Sequence, residues 1–214
     1  MSTPPAEATR QPPMTLDALI HQSARIIEAT VVGYDPTAGD TLAPATRVEL
    51  HVIAALGPDT GDHKLTLHLP EGIEANGAAW AGYEGVPTFA PGETYLLFLR
   101  RDPWRISPVV HWGAAHLRRA EIAGRAVYVD MQGACAADLD DDGVTLGPRV
   151  TDPPPVPGRD TWSSLPPQPS AITRCLPAAE LRARLTARIH HLGWQPAPCT
   201  SPPRPQPHRA RLER

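Results

Sequence analysis

The sequence predicts a mainly β fold built on a closed or sandwiched sheet, and three observations carry that prediction. The first is residues 89–100, FAPGETYLLFLR, in which a turn launches an apolar run. Pro91 pre-sets φ for the first central turn position, and Gly92 supplies the positive φ that a type II turn needs at the second. The second is the run itself: residues 94–99 show no polar alternation after Thr94, so both faces are expected to be buried, as in a central strand. The third is residues 46–56, where Val48, Leu50 and Val52 alternate with Arg47, Glu49 and His51, the pattern of a half-exposed strand.

The remaining elements follow in chain order. Residues 1–13 are small, polar and proline-rich and are expected to be disordered. Thr15 is a good N-cap, and Leu16, Leu19 and Ile20 recur at helical spacing, so a short amphipathic helix is expected. The β-branched residues 26–33 read as the first strand. Residues 34–44 form a loop, and residues 57–62 turn into a return strand in which Leu65, Leu67 and Leu69 alternate with Thr66 and His68. Residues 71–87 form a glycine-punctuated connection carrying Trp80 and Tyr83; loops of that length are functional or packed by their own aromatics. Two short strands are expected at 106–112 and 126–131, with the Asp-rich residues 138–143 turning back towards Val144 and Leu146. The domain thus spans residues 14–150.

Beyond it, residues 151–172 form a proline-rich linker. Residues 173–194 hold an amphipathic helix: Pro177 sits in the first turn, Leu181, Leu185, Ile189 and Leu192 make a stripe, and Gly193 stops it. About four turns are marginal alone, so the helix is expected to dock on the sheet. Residues 195–214 are a basic, proline-rich tail expected to be disordered.

Of 214 residues, 20 are Lys or Arg and 23 Asp or Glu, a formal net charge of −3, which gives no electrostatic reason to expect nucleic acid. No window approaches the ~18 apolar residues of a membrane span. The three cysteines, Cys135, Cys175 and Cys199, either stay unpaired or form one disulfide; Cys175–Cys199 is the pairing that would pin the C-terminal segment, in an oxidising compartment.

With these elements placed, the chain resembles a family of small bacterial exported proteins with an OB-like, TIMP/netrin-type β-barrel, a domain also found beside secreted metallopeptidases. The resemblance rests on the helix ending at Ser23, the strand 26–33, and the Thr46-containing strand closed by Leu56-Gly57. It continues through Pro70-Glu71-Gly72, Gly85-Val86-Pro87-Thr88-Phe89 and Pro91-Gly92-Glu93, with a fainter echo in residues 176–192. It implies an OB-like barrel of five or six strands and favours an extracytoplasmic location. The chain departs from the family at residues 110–116, VHWGAAH, where the family carries Val-Gly-x-x-Gln-Gly, and residues 1–20 lack the apolar core of a signal peptide. If Met1 is the true start, the location expected is the cytoplasm.

Candidate sites are few. His111 and His116 bracket WGAA, and His51, His63 and His68 lie on or beside neighbouring strands; imidazoles converging there are the alternative, metal-binding or metal-dependent hydrolase reading. The odd separation of His111 and His116 points them to opposite strand faces unless a bulge intervenes. Asp138, Asp140 and Asp142 before Gly143 match the first half of a calcium loop, but Arg149 stands where the bidentate carboxylate belongs. An Asp-Gly turn explains the same residues. Glu93, at the mouth of the apolar strand, is expected to accept hydrogen bonds from turn amides. Nucleophile and phosphate-loop motifs are absent from the sequence. Trp80, Tyr83 and Trp112 are the candidate binding surface, against the alternative that the tryptophans plug the barrel ends. The expectation is a monomeric, cofactor-free, non-catalytic module that binds a protein partner.

Overall fold

The computed structural model describes residues 14–38, 45–57, 61–69, 71–73, 79–81, 87–100, 108–111, 115–155 and 167–195, with the backbone alone at 71–73 and 79–81. The expected disorder of residues 1–13 and of the tail beyond 195 lies outside them, as do Tyr83, Trp104, Trp112 and Cys199.

Helix α1 (Leu16–Gln22) starts where Thr15 accepts a hydrogen bond from the Ala18 amide, and it buries Leu16, Leu19 and Ile20. Strands β1 (Arg25–Asp35), β2 (Thr46–Ala55) and β3 (Lys64–Leu69) make an antiparallel meander. A small hairpin, β4 (Glu71–Ile73) with β5 (Ala79–Ala81), occupies the segment expected to be a connection and carries Trp80 opposite Gly72. The apolar run is β6 (Thr94–Leu99). Next come β7 (His116–Ile122), β8 (Arg125–Val129), β9 (Ala134–Asp140) and β10 (Gly143–Arg149). Helix α2 (Ala178–His191) closes the described chain.

The main sheet has eight strands in the order β10-β9-β8-β7-β6-β1-β2-β3, with antiparallel pairing throughout. Strand β6 sits between β7 and β1, as its composition predicts, with Leu96, Leu97 and Phe98 no more than 1% exposed. Its turn forms as the Pro-Gly pair requires: Gly92 has φ +82° and the Glu93 amide donates to the Ala90 carbonyl at 3.2 Å.

After residue 100 the sequence reading placed the 126–131 strand, observed as β8, and the return through Val144 and Leu146, observed as β10, but it missed two strands and their pairing. A strand was expected at 106–112, whereas the described part pairs with β6 through one bridge, Leu99 to Val109, and His111 already has a left-handed φ of 47°. Strands β7 and β9 were not foreseen. HLRRAEI puts charges at three of seven positions, yet β7 is inserted between β6 and β8 and buries Leu117, Ala120 and even Arg118. The Asp-Gly turn joins β9 to β10 and not the expected 126–131 strand, which instead hairpins with β7 through Ala123-Gly124. Both errors share a cause: short strands buried by tertiary contact lack the apolar density that marks a strand locally. The linker expected at 151–172 ends in a 3₁₀ turn, Pro169–Arg174.

Cross-strand partners share a face, so the pairings sort β6 and its neighbours into two layers. Leu96 and Phe98 lie with Ile26 and Glu28 of β1 and Leu117 of β7. Tyr95 and Leu97 lie with Ala29 and Ile27, and with Arg118 and His116. Helix α2 covers the Glu28 face, burying Ala178, Leu181, Leu185 and Ile189. Each buried Leu or Ile contributes about 1.5–3 kcal/mol of transfer free energy, more than a helix of this length loses by being short. Beyond α2, Trp194 packs on Gly57, where any Cβ would collide with the indole ring. Glycine at the end of β2 is therefore fixed by the docking of the C-terminal segment.

The cysteines correct another expectation. Cys175 is bonded to Cys135 on β9, with Cα atoms 5.7 Å apart, so Cys175 is neither unpaired nor bonded to Cys199, the two alternatives the sequence left open. The fold carries residue 175 back to β9.

Candidate functional site

The two buried layers each contain a polar cluster. On the α2 side, Glu28 is 2% exposed in the middle of β1. Tyr128 of β8 donates to one of its oxygens at 3.1 Å, and Arg182 of α2 pairs with the other. Burial, followed by the Glu28 charge, pushes the Tyr128 hydroxyl well above its ordinary range, so it remains a donor. A carboxylate whose oxygens are taken by a phenol and a guanidinium is a structural anchor for the helix.

The rest of the α2 basic face repeats the theme. Arg188 donates to both carboxylate oxygens of Asp17 on α1, at 2.6 and 2.8 Å, and pairs with Asp141 at 3.0 Å. The Arg188 guanidinium accordingly holds the Asp17 carboxyl below its usual range. Arg184 reaches Asp138 at 2.8 Å. The Asp-rich turn is thus a landing place for a helix. Asp138 also accepts from the Leu139 amide, and Asp140 accepts from the Asp142 amide, as turn aspartates do.

Arg182→Ala leaves Glu28 buried with Tyr128 as its partner, and is expected to lower stability by about 2–3 kcal/mol. That is below the range for a fully enclosed pair, since the Arg182 side chain is 42% exposed. Glu28→Gln in the same background removes the charge and should recover most of the loss. Urea melts of the four proteins in the cycle measure it, and equal losses with and without Glu28 would refute the pairing.

On the opposite face, Phe89, Tyr95 and His116 form a buried ring cluster. The His116 ring centroid lies 4.7 Å from that of Phe89, edge to face, and 4.7 Å from that of Tyr95. The Tyr95 hydroxyl accepts from the Ala90 amide at 2.9 Å, and burial pushes its pKa up to about 12. His116 is 1% exposed and neither ring nitrogen makes a hydrogen bond of good geometry. Burial drives its pKa down to about 3, against a small opposing effect from the nearby backbone of His116 itself and of Thr88. Beside it, Arg118 donates to Glu93 at 3.2 Å and to the Asp152 carbonyl at 3.0 Å. Glu93 therefore pairs with an arginine, where turn amides were expected.

The sequence-predicted histidines do not converge. His51 is exposed on β2, His63 is exposed before β3, and His68 lies on β3 opposite Arg47. His116 is enclosed on β7, three positions away from β2 in the sheet order, and His111 lies in a turn. Among the described residues, no three His, Cys, Asp or Glu side chains gather so as to hold a metal ion. Trp80 is placed on β5 by its backbone; Tyr83 and Trp112 lie outside the described residues. A groove of about 340 Å³ runs between Leu56-Gly57 and the end of α2, lined also by His190 and Trp194. No described helix is long and apolar enough to cross a membrane.

Sequence reasoning passed over Glu28 and Arg182. Glu28 was legible as an anomaly, a carboxylate inside a β-branched run, and such a residue calls for a buried partner. No family model, curated protein or solved structure matches the chain.

Proposed function

We propose that the chain is a non-catalytic protein-interaction module whose sheet rolls into an OB-like barrel. Its working surface is the β4–β5 region with Trp80 and Tyr83, together with Trp112. The observation that carries the reading is the engagement of five acidic side chains by arginines: Glu28 by Arg182, Glu93 by Arg118, Asp17 and Asp141 by Arg188, and Asp138 by Arg184. A general acid or base needs a free, tuned proton site near substrate, and carboxylates neutralised in this way serve packing instead.

Barrel closure is supported by the burial of Tyr95, Leu97 and Leu99 on the face opposite α2, where the sheet's own residues Val48, Leu50, Leu67 and Leu69 belong to the same core. The Cys135–Cys175 bond supports an oxidising, extracytoplasmic setting. A secreted peptidase is the partner class that the resemblance suggests.

The test is capture of proteins by the immobilised chain, wild type beside Trp80→Ala/Tyr83→Ala. Capture is expected to fall at least tenfold in the variant with the melting temperature within about 2 °C of wild type, as for surface substitutions. Undiminished capture, or a collapse in melting temperature, would move the surface elsewhere.

A further inference from the structure

The ladder between β8 and β9 consists of a single pair, Val129 with Cys135. Past it the two strands diverge, and the gap is filled from elsewhere in the chain. Pro177 bridges to Val127 of β8, while the Leu176 amide donates to the Ala136 carbonyl of β9 at 2.8 Å. Cys175 and Pro177 have extended backbone angles, so residues 175–177 act as a short wedge strand. As a strand must, the wedge sends alternate side chains to opposite layers. Cys175 joins Val127, Val129, Cys135 and Val150, and Leu176 joins the main core under α2. Arg125 donates to the Cys175 carbonyl at 2.9 Å. The covalent bond to Cys135 clips this wedge in place, and α2 starts immediately after it.

We propose that the Cys135–Cys175 bond is a redox latch that keeps the wedge in the β8/β9 seam and α2 over the Glu28–Tyr128 face. A dithiol supplies two electrons and two protons, is itself oxidised to a disulfide, and leaves Cys135 and Cys175 as thiols. Both residues are enclosed, at 0% and 3% exposed, so the reductant meets them in a transiently opened seam. The loop closed by the bond has a sequence separation of 40. Losing a link of that size raises the population of the opened form by roughly 10²–10³-fold. The opening is local because the wedge is held to the sheet by few backbone bonds, whereas β1 is joined to β2 and β6 by ladders of eight and six residue pairs and β6 to β7 by three. In the open form the α2 face of the sheet, with Tyr128 and a Glu28 freed from Arg182, becomes accessible.

Native-state hydrogen exchange read by mass spectrometry tests this on the full chain carrying Cys199→Ala, with and without dithiothreitol, the thiol state verified by alkylation. Exchange of the α2 amides, residues 178–191, is expected to quicken by about 10²–10³-fold on reduction, while β1 and β6 amides keep their rates. Cys135→Ala/Cys175→Ala should show the fast α2 exchange without reductant. Unchanged α2 exchange in the verified dithiol form overturns the latch. An equal acceleration in α2 and β6 overturns it too, since the bond would then stabilise the whole domain evenly.

Discussion

Acidification from pH 6.5 towards pH 4 is expected to destabilise the protein by about 1.4 kcal/mol per pH unit through His116 alone. The folded pKa is depressed to about 3 from an unfolded value near 6.5. Below pH 6.5 the unfolded chain takes up a proton that the native chain refuses, so stability present above that pH drains away as pH falls, and the loss levels off only near pH 3. The cause lies in the packing: the imidazole is held between Phe89 and Tyr95, and the Arg118 charge nearby further opposes a cation there. Carboxylates held low by partners, such as Asp17 and Asp35, add their losses at lower pH, and Asp130, raised by burial, opposes them, so the histidine is isolated by comparison with a variant that lacks it. His116→Phe keeps a ring in the cluster and removes two unsatisfied nitrogens, which is expected to leave stability at pH 7 equal or higher. Urea midpoints of the two proteins should therefore diverge as pH falls from 7 to 5. Parallel curves would mean that His116 is protonated in the native state and that the ring cluster is not sealed.

The same residue shows how far the sequence could be read. His116 was visible as half of a loose histidine pair, a pattern suggestive of metal, yet its role follows from the strand that carries it. That strand, β7, was invisible because its charges are absorbed by tertiary partners: Arg118 by Glu93 and the Asp152 carbonyl. Elements whose own side chains specify them were legible, among them the Thr15-capped helix, the Pro91-Gly92 turn, the alternation in β2 and the stripe of α2. What escaped was specified by distant residues. Glu28 needs Arg182, which is 154 positions away, and Cys135 needs Cys175, which is 40 away. The chain reverses inside the Asp138–Gly143 stretch, but only Asp141 and Asp142 form the turn, while Asp138–Asp140 end β9 and Gly143 opens β10; an Asp-Gly signal fixes where a chain reverses and not which strands it joins.

Strand β6 is enclosed on both sides, and two neighbouring substitutions examine that directly. Leu96 faces the helix layer and Leu97 the aromatic layer, and each is 0% exposed. Removing either side chain to its β-carbon forfeits the transfer free energy and leaves a void in a well-packed layer, so Leu96→Ala and Leu97→Ala should each cost about 2–5 kcal/mol. A strand covered on one face only would show one large loss and one small one, because the exposed leucine has little burial to lose. Denaturant unfolding of the two single variants at pH 7 is the decisive measurement. Two losses above about 2 kcal/mol agree with the fold described; a loss below about 0.5 kcal/mol at either position would contradict it.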